Sequence, residues 1–126
     1  MRLSNCNLKN TDLIIINTIT QLKELDISYG EFDNFGVYNL TDLIELTYLD
    51  ISHNNYITSN ILDILFKLKR LHVLKINDSP GIKEEVLPIL DTFHCLSELY
   101  INPQTFILHE DISISFNIYS SQIDIF

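Results

Sequence analysis

Four histidines and two cysteines are the side chains of this 126-residue chain best suited to metal ligation or nucleophilic attack. His53, His72, His94 and His109 do not stand at metal-ligand spacing with Cys6 or Cys95. His94 and Cys95 are adjacent, which on a helix points them in different directions, so a nucleophile pair would need a tertiary coincidence. The three glycines, Gly30, Gly36 and Gly81, cannot build a phosphate-cradling loop. Carboxylates are abundant, with 17 Asp+Glu against 8 Lys+Arg, and surface carboxylates mostly solubilise. No catalytic residue, cofactor or resident metal is therefore expected, and the chain reads as a non-enzyme.

The formal charge of −9 argues against nucleic acid and against anionic membrane surfaces, both of which need cationic patches. No apolar run approaches 18 residues; the longest is Leu13-Ile14-Ile15-Ile16. Met1 to Asn7 lacks the cationic start and apolar middle of a signal peptide. Two cysteines are too few for a disulfide framework, so a reducing, cytoplasmic compartment is expected. The sequons at Asn39-Leu40-Thr41 and Asn77-Asp78-Ser79 then read as chance matches. A composition that is 46% hydrophobic excludes a disordered chain. A chain of this length buries roughly two-thirds of its extended surface. Ile and Leu supply nearly a third of the residues and Ala is absent. That scarcity of GC-rich codons fits an AT-rich genome, such as that of a large DNA virus or a protist.

The elements that position these side chains come from an internal repeat. Leu22-x-x-Leu25-x-Ile27 recurs as Leu46-x-x-Leu49-x-Ile51, Leu71-x-x-Leu74-x-Ile76 and Leu96-x-x-Leu99-x-Ile101, at spacings of 24, 25 and 25. The register extends back to Met1 and Leu3 and forward to Ile123 and Ile125. Within each motif apolar residues alternate, which is strand period. Between motifs the period turns helical: Leu13, Ile16 and Ile19; Val37, Leu40 and Leu43; Ile61, Leu62, Leu65 and Leu68; Val86, Leu87, Leu90 and Phe93. Each unit offers one strand face and one helix face, and neither buries itself alone, so neighbours must stack.

The pattern resembles the leucine-rich repeat family, whose unit reads L-x-x-L-x-L-x-x-N/C-x-L. The fullest match is Leu46-Thr47-Tyr48-Leu49-Asp50-Ile51-Ser52-His53-Asn54-Asn55-Tyr56, with Asn54 in the Asn slot. That column otherwise reads Cys6, Gly30, Ser79 and Gln104, which places Cys6 on the buried side and departs from a regular side-chain ladder. The resemblance implies an α/β fold: a right-handed leucine-rich repeat solenoid forming a short horseshoe arc, with a parallel concave sheet, convex helices and an extended C-terminal cap. Residues 1–106 would be the repeats and 107–126 a degenerate repeat serving as cap.

Local signals refine this picture. Asn10-Thr11-Asp12, Asn39-Leu40-Thr41-Asp42 and Thr58-Ser59-Asn60 supply helix-capping side chains. Pro80-Gly81 marks a turn. Pro88 is tolerable only near the start of a third helix. Ile112, Ile114, Phe116 and Ile118 alternate where an outer helix would stand, and Gln122–Phe126 is expected to close the sheet as its last strand. The amino end begins inside a strand with no cap.

Alternating residues that are not core should point out of the sheet. They form three ladders: Glu24, Tyr48, Val73, Glu98; Arg2, Asp26, Asp50, Lys75, Tyr100, Asp124; and Ser4, Ser28, Ser52, Asn77, Asn102. Tyr29, His53 and Asp78 flank the strand ends. Tyr48 and Tyr100 are amphipathic anchors of the kind that dominate interfaces. Asp26, Asp50, Glu24 and Glu98 favour a basic partner. Asp26 and Asp50 should sit about 5 Å apart on neighbouring strands, too few ligands for a firm calcium site. Arg2–Asp26 and Asp50–Lys75 are candidate exposed ion pairs, each contributing under about 1 kcal/mol. The resemblance implies a protein-interaction module whose concave face uses Glu24, Asp26, Tyr48, Asp50, Lys75, Glu98 and Tyr100. The alternatives are a solvated sheet face, an assembly subunit that self-associates through open sheet edges, and a targeting or regulatory subunit of an enzyme complex.

Overall fold

The structure, a computed structural model, describes residues 1–83, 96–101 and, as backbone, 117–118. Several expectations lie outside the described residues: the helix carrying Val86, Leu87, Leu90 and Phe93, Pro88, the His94–Cys95 pair, Asn102, Gln104, His109 and the tail after Ile118.

The chain alternates outer helix and strand: α1 (Asn10–Ile16), β1 (Glu24–Asp26), α2 (Asn34–Tyr38), β2 (Tyr48–Asp50), α3 (Ile61–Leu65), β3 (Val73–Ile76), β4 (Glu98–Ile101) and β5 (Asn117–Ile118). The five strands form one parallel sheet in sequence order. The repeat sets the register, with Leu25 opposite Leu49, Leu49 opposite Leu74 and Leu74 opposite Leu99. Residues 1–5 continue the sheet beyond β1: Asp26 donates its N–H to Met1 O at 2.9 Å, and Leu3 donates to Asp26 O at 2.7 Å.

One core lies between sheet and helices. Leu25, Ile27, Leu49, Ile51, Leu74, Ile76, Leu99 and Ile101 supply its sheet side; Leu13, Val37, Ile61, Leu62 and Leu65 supply its helix side. All are buried. The return limbs between helices and strands are not helical at 3.6-residue period. Their apolar residues recur every three positions, as in Val37, Leu40, Leu43 and Leu46 or Leu65, Leu68 and Leu71. The backbone follows with i+3→i bonds: Leu40 N to Val37 O at 2.9 Å, Leu43 N to Leu40 O at 3.1 Å, Leu46 N to Leu43 O at 3.1 Å. Successive three-residue turns keep each Leu on the inner side, because three residues complete one 3₁₀ turn.

Helix caps differ from expectation at three places, one of them α3, whose cap position Asn60 makes no side-chain cap bond while the Thr58 and Ser59 hydroxyls bond other units. The second outer helix begins at Asn34, not near Asn39–Asp42, because Asp33 caps it; Asp33 Oδ1 accepts from Phe35 N at 2.9 Å and Gly36 N at 3.4 Å. In α1 the cap position is Lys9, whose N–H donates to Asp12 Oδ2 at 2.8 Å. The turn at Pro80-Gly81 is present, closed by Ile82 N to Ser79 O at 2.9 Å.

Asparagines stitch neighbouring units on the outer side. Asn10 donates to Asp33 Oδ1 at 2.9 Å and accepts from Asp33 N at 3.0 Å. Asn34 makes the same two-way clasp with Thr58 (2.7 and 3.0 Å), and Asn17 with Asp42 (3.0 and 3.1 Å). An amide carries both donor and acceptor, so one side chain ties backbone and side chain of the next unit together.

At the carboxyl end, β5 pairs with β4 through Glu98↔Asn117 and Leu99↔Ile118. The strand next to β4 is thus drawn from the alternating stretch ending at Ile118, not from Gln122–Phe126. That stretch already has strand period and returns to the sheet sooner than a full unit would.

Candidate functional site

The open sheet face carries the predicted site residues on adjacent strands. Glu24, Tyr48, Val73 and Glu98 stand in register across β1–β4. Asp26, Asp50, Lys75 and Tyr100 form the next row, and Arg2 bridges to Asp26. Glu24 is exposed; Asp26, Tyr48, Asp50, Lys75, Glu98 and Tyr100 are half-buried. Strand geometry produces this arrangement, since inward Leu25, Leu49, Leu74 and Leu99 force their neighbours outward.

Lys75 is the centre of the face. Its Nζ lies 4.5 Å from the Tyr100 ring centroid and 5.4 Å from that of Tyr48. Partial burial acts to lower the pKa of this ammonium, but the Tyr48 hydroxyl, Asp50 and Tyr100 outweigh it and raise the value above 10.5. Neither expected ion pair forms: among the described residues the pairs within 4.0 Å are Lys9–Glu31, His53–Asp78 and Arg70–Glu45. Lys75 turns to the two rings instead, and cation–π contact replaces the salt bridge.

The two aspartates also serve the backbone. Asp26 Oδ1 accepts from Ser28 N at 3.0 Å and Ser28 Oγ at 2.7 Å; Asp50 Oδ1 accepts from Ser52 N at 3.0 Å. These bonds brace the turns out of β1 and β2, each of which leads into a left-handed residue, a conformation the slot also takes where Arg2 and Lys75 stand in place of the aspartate. Asn5, Tyr29, His53 and Asp78 occupy that slot with φ of 62°, 59°, 58° and 49°. The strain of a left-handed Tyr or His is held by stacking: the Tyr29 and His53 rings lie 4.1 Å apart, 8° from parallel. His53 Nε2 continues the row to Asp78 Oδ2 at 3.5 Å.

The third ladder needs correction. Ser28 and Ser52 are buried, not outward and solvated. Ser4 and Ser28 hydroxyls meet at 2.8 Å, and Ser52 Oγ accepts from Asn77 N at 2.9 Å. The turns after β1 and β2 fold this column back over the strand ends, where the Ser28 hydroxyl meets Asp26 and Ser4 and the Ser52 hydroxyl satisfies the Asn77 N–H. Asn54 is buried as expected and donates to Ile51 O at 2.8 Å and Ser52 O at 3.2 Å. Cys6, in the same column of the first unit, is exposed, with its thiol 3.7 Å from Ser4 O.

Among the described residues no three His, Cys, Asp or Glu side chains converge as a metal site. His72 is exposed, with Nδ1 2.6 Å from Arg70 O. No helix among them is long and apolar enough to cross a membrane. Sequence reasoning missed a groove on the outer side, lined by Asn34, Phe35, Tyr38 and Ile64 and about 290 Å³ in volume. Phe35 is 78% exposed there. The signal was present, since Phe35 and Tyr38 stand three apart, but its side of the molecule depended on where α2 began.

No protein-family model and no curated protein matches the chain. Solved structures do. The chain is similar to leiomodin-1 actin-binding site 2, with a TM-score of 0.69 at 14% identity over 91% of this chain and 74% of that one. It is similar to an internalin C2 from Listeria monocytogenes str. 4b F2365, with a TM-score of 0.59 at 18% identity over 82% of this chain and 45% of that one. A second internalin from that source, inlF, gives a TM-score of 0.55 at 19% identity over 83% and 36%. The chain spans less than half the length of either internalin. These likenesses are of fold, and the fold is the leucine-rich repeat solenoid.

Proposed function

We propose that this chain is a non-enzymatic protein-interaction module that binds a basic partner through its concave sheet face. The supporting observation is the cluster of Tyr48, Lys75 and Tyr100 across two neighbouring rows, which offers aromatic area on rigid strands within a border of Asp26, Asp50, Glu24 and Glu98. Strand-borne aromatics lose little entropy on binding, and flanking carboxylates steer a cationic surface. Leiomodin-1, one of the fold's neighbours, is named for an actin-binding site, which adds support for a binding role.

Affinity capture from the native host extract tests the reading. Tyr48→Ala with Asp50→Arg is expected to lose the partner while the protein stays folded by thermal melt. Phe35→Ala, on the outer groove, is expected to retain it. Retention by the double variant would refute the concave-face assignment.

A second reading, an assembly subunit, is favoured by the apolar residues left open on the outer side: Ile14, Ile15, Phe35, Tyr38 and Ile44 are each more than half exposed. A strict monomer in sedimentation at high concentration would remove it.

A further inference from the structure

We propose that Tyr48, Tyr100 and Asp50 form a cage for an ammonium group, that Lys75 is its built-in occupant, and that the partner's lysine binds by displacing Lys75. The inference rests on the concave-face reading and names the chemistry at its centre.

Three observations carry it. The cage spans three strands: Tyr48 on β2 and Tyr100 on β4 flank β3, and a single ammonium lies within cation–π range of both rings. Register places Asp50 directly beside Lys75, yet no salt bridge forms, so the ammonium has been drawn between the rings rather than onto the nearest carboxylate. Host and occupant are all strand-borne and half-buried, but the occupant's ammonium sits at the end of a flexible four-carbon stem, whereas the host groups sit on short or rigid side chains. The walls are therefore fixed and the guest is movable. The neighbouring Asp26 and Glu24 leave the emptied site strongly negative. An incoming lysine must overcome both the occupied rings and the like charge of Lys75. Lys75 thus lowers affinity for single cations and favours partners whose remaining contacts drive the exchange.

The test is an NMR titration of tyrosine-labelled protein with acetyl-Gly-Lys-Gly-amide, with the same peptide acetylated on its lysine as control. Lys75→Met and Lys75→Gln are both used, so that one non-folding variant does not end the test. Both are expected to bind the lysine peptide about threefold or more tightly than wild type, with shifts at the Tyr48 and Tyr100 rings. The acetylated peptide is expected to shift neither ring. Adding Tyr100→Leu alone is expected to abolish the shift at the Tyr48 ring, and adding Tyr48→Leu alone the shift at the Tyr100 ring. Equal affinity in wild type and both Lys75 variants would overturn the cage, as would an equal response to the acetylated peptide. Should that happen while Tyr48→Ala with Asp50→Arg still loses the captured partner, the interface stands without the cage. If that variant keeps the partner as well, the concave-face reading falls too.

Discussion

At the residue scale, position in a strand and burial are separable properties. Ser52 follows the alternation that points side chains out, yet it is 3% exposed and its hydroxyl accepts the N–H of Asn77 from the next unit. Removing that oxygen leaves a backbone donor unpaired. Ser52→Ala is therefore expected to cost about 1–2 kcal/mol in chemical denaturation, more than a solvated surface substitution. A change below about 0.5 kcal/mol would show that water replaces the hydroxyl. Lys75 makes a pH-dependent contribution. Desolvation acts to lower its pKa, but the hydrogen bond and charge interaction with the Tyr48 phenol group, and the charge interactions with Asp50 and the Tyr100 phenol group, outweigh it and raise the value above the ordinary 10.5 in the folded state. A raised value means the contribution is complete below the unfolded pKa and is lost as pH climbs through the folded one. The stability difference between wild type and Lys75→Met is expected to stay flat at neutral pH and fall beyond 10.5, as read by urea unfolding across pH.

At the element scale, the strands were legible and the outer limbs only partly so. Four copies of Leu-x-x-Leu-x-Ile gave strand period and register together, and the structure pairs Leu25, Leu49, Leu74 and Leu99 as that register requires. Spacings of three do not by themselves separate an α-helix from a run of three-residue turns. The return limb through Val37, Leu40 and Leu43 consequently read as helix, and the cap at Asp33 went unseen. Gly36 shows how tightly the outer elements meet. A Cβ there would run into Asn10 Oδ1 and stand 2.8 Å from Phe32 Cβ and 3.0 Å from Leu13 Cδ1. In an isolated helix Gly→Ala gains about 1 kcal/mol. Here Gly36→Ala is expected to lose about 1–3 kcal/mol, because Asn10 must give up its clasp on Asp33. A rise in melting temperature would mean that α1 and α2 can separate freely.

At the scale of the whole molecule, stability comes from units that cover one another. Leu49 lies on the middle of the described sheet with Leu25 on one side and Leu74 on the other. Leu49→Ala is expected to cost about 2–5 kcal/mol and to lower a single cooperative melt, since both neighbours lose a packing surface. Two separate transitions would show that the stack divides at β2. Inward slots are apolar, and four of the 17 carboxylates, Glu24, Asp26, Asp50 and Glu98, stand on the open sheet face with Lys75.

The sequence by itself determined the repeat, the parallel sheet and the inward leucines, because strand alternation and a near-constant period are local properties of the chain. It also determined that Tyr48, Asp50, Lys75 and Tyr100 share a face. Only the tertiary structure decided which of their contacts form. Lys75 lies between rings on the two flanking strands and not on the carboxylate beside it, and Ser28 and Ser52 close over the strand ends. Those choices depend on side-chain reach across strands and on how each turn folds back. Both are set by neighbours some two dozen residues away along the chain.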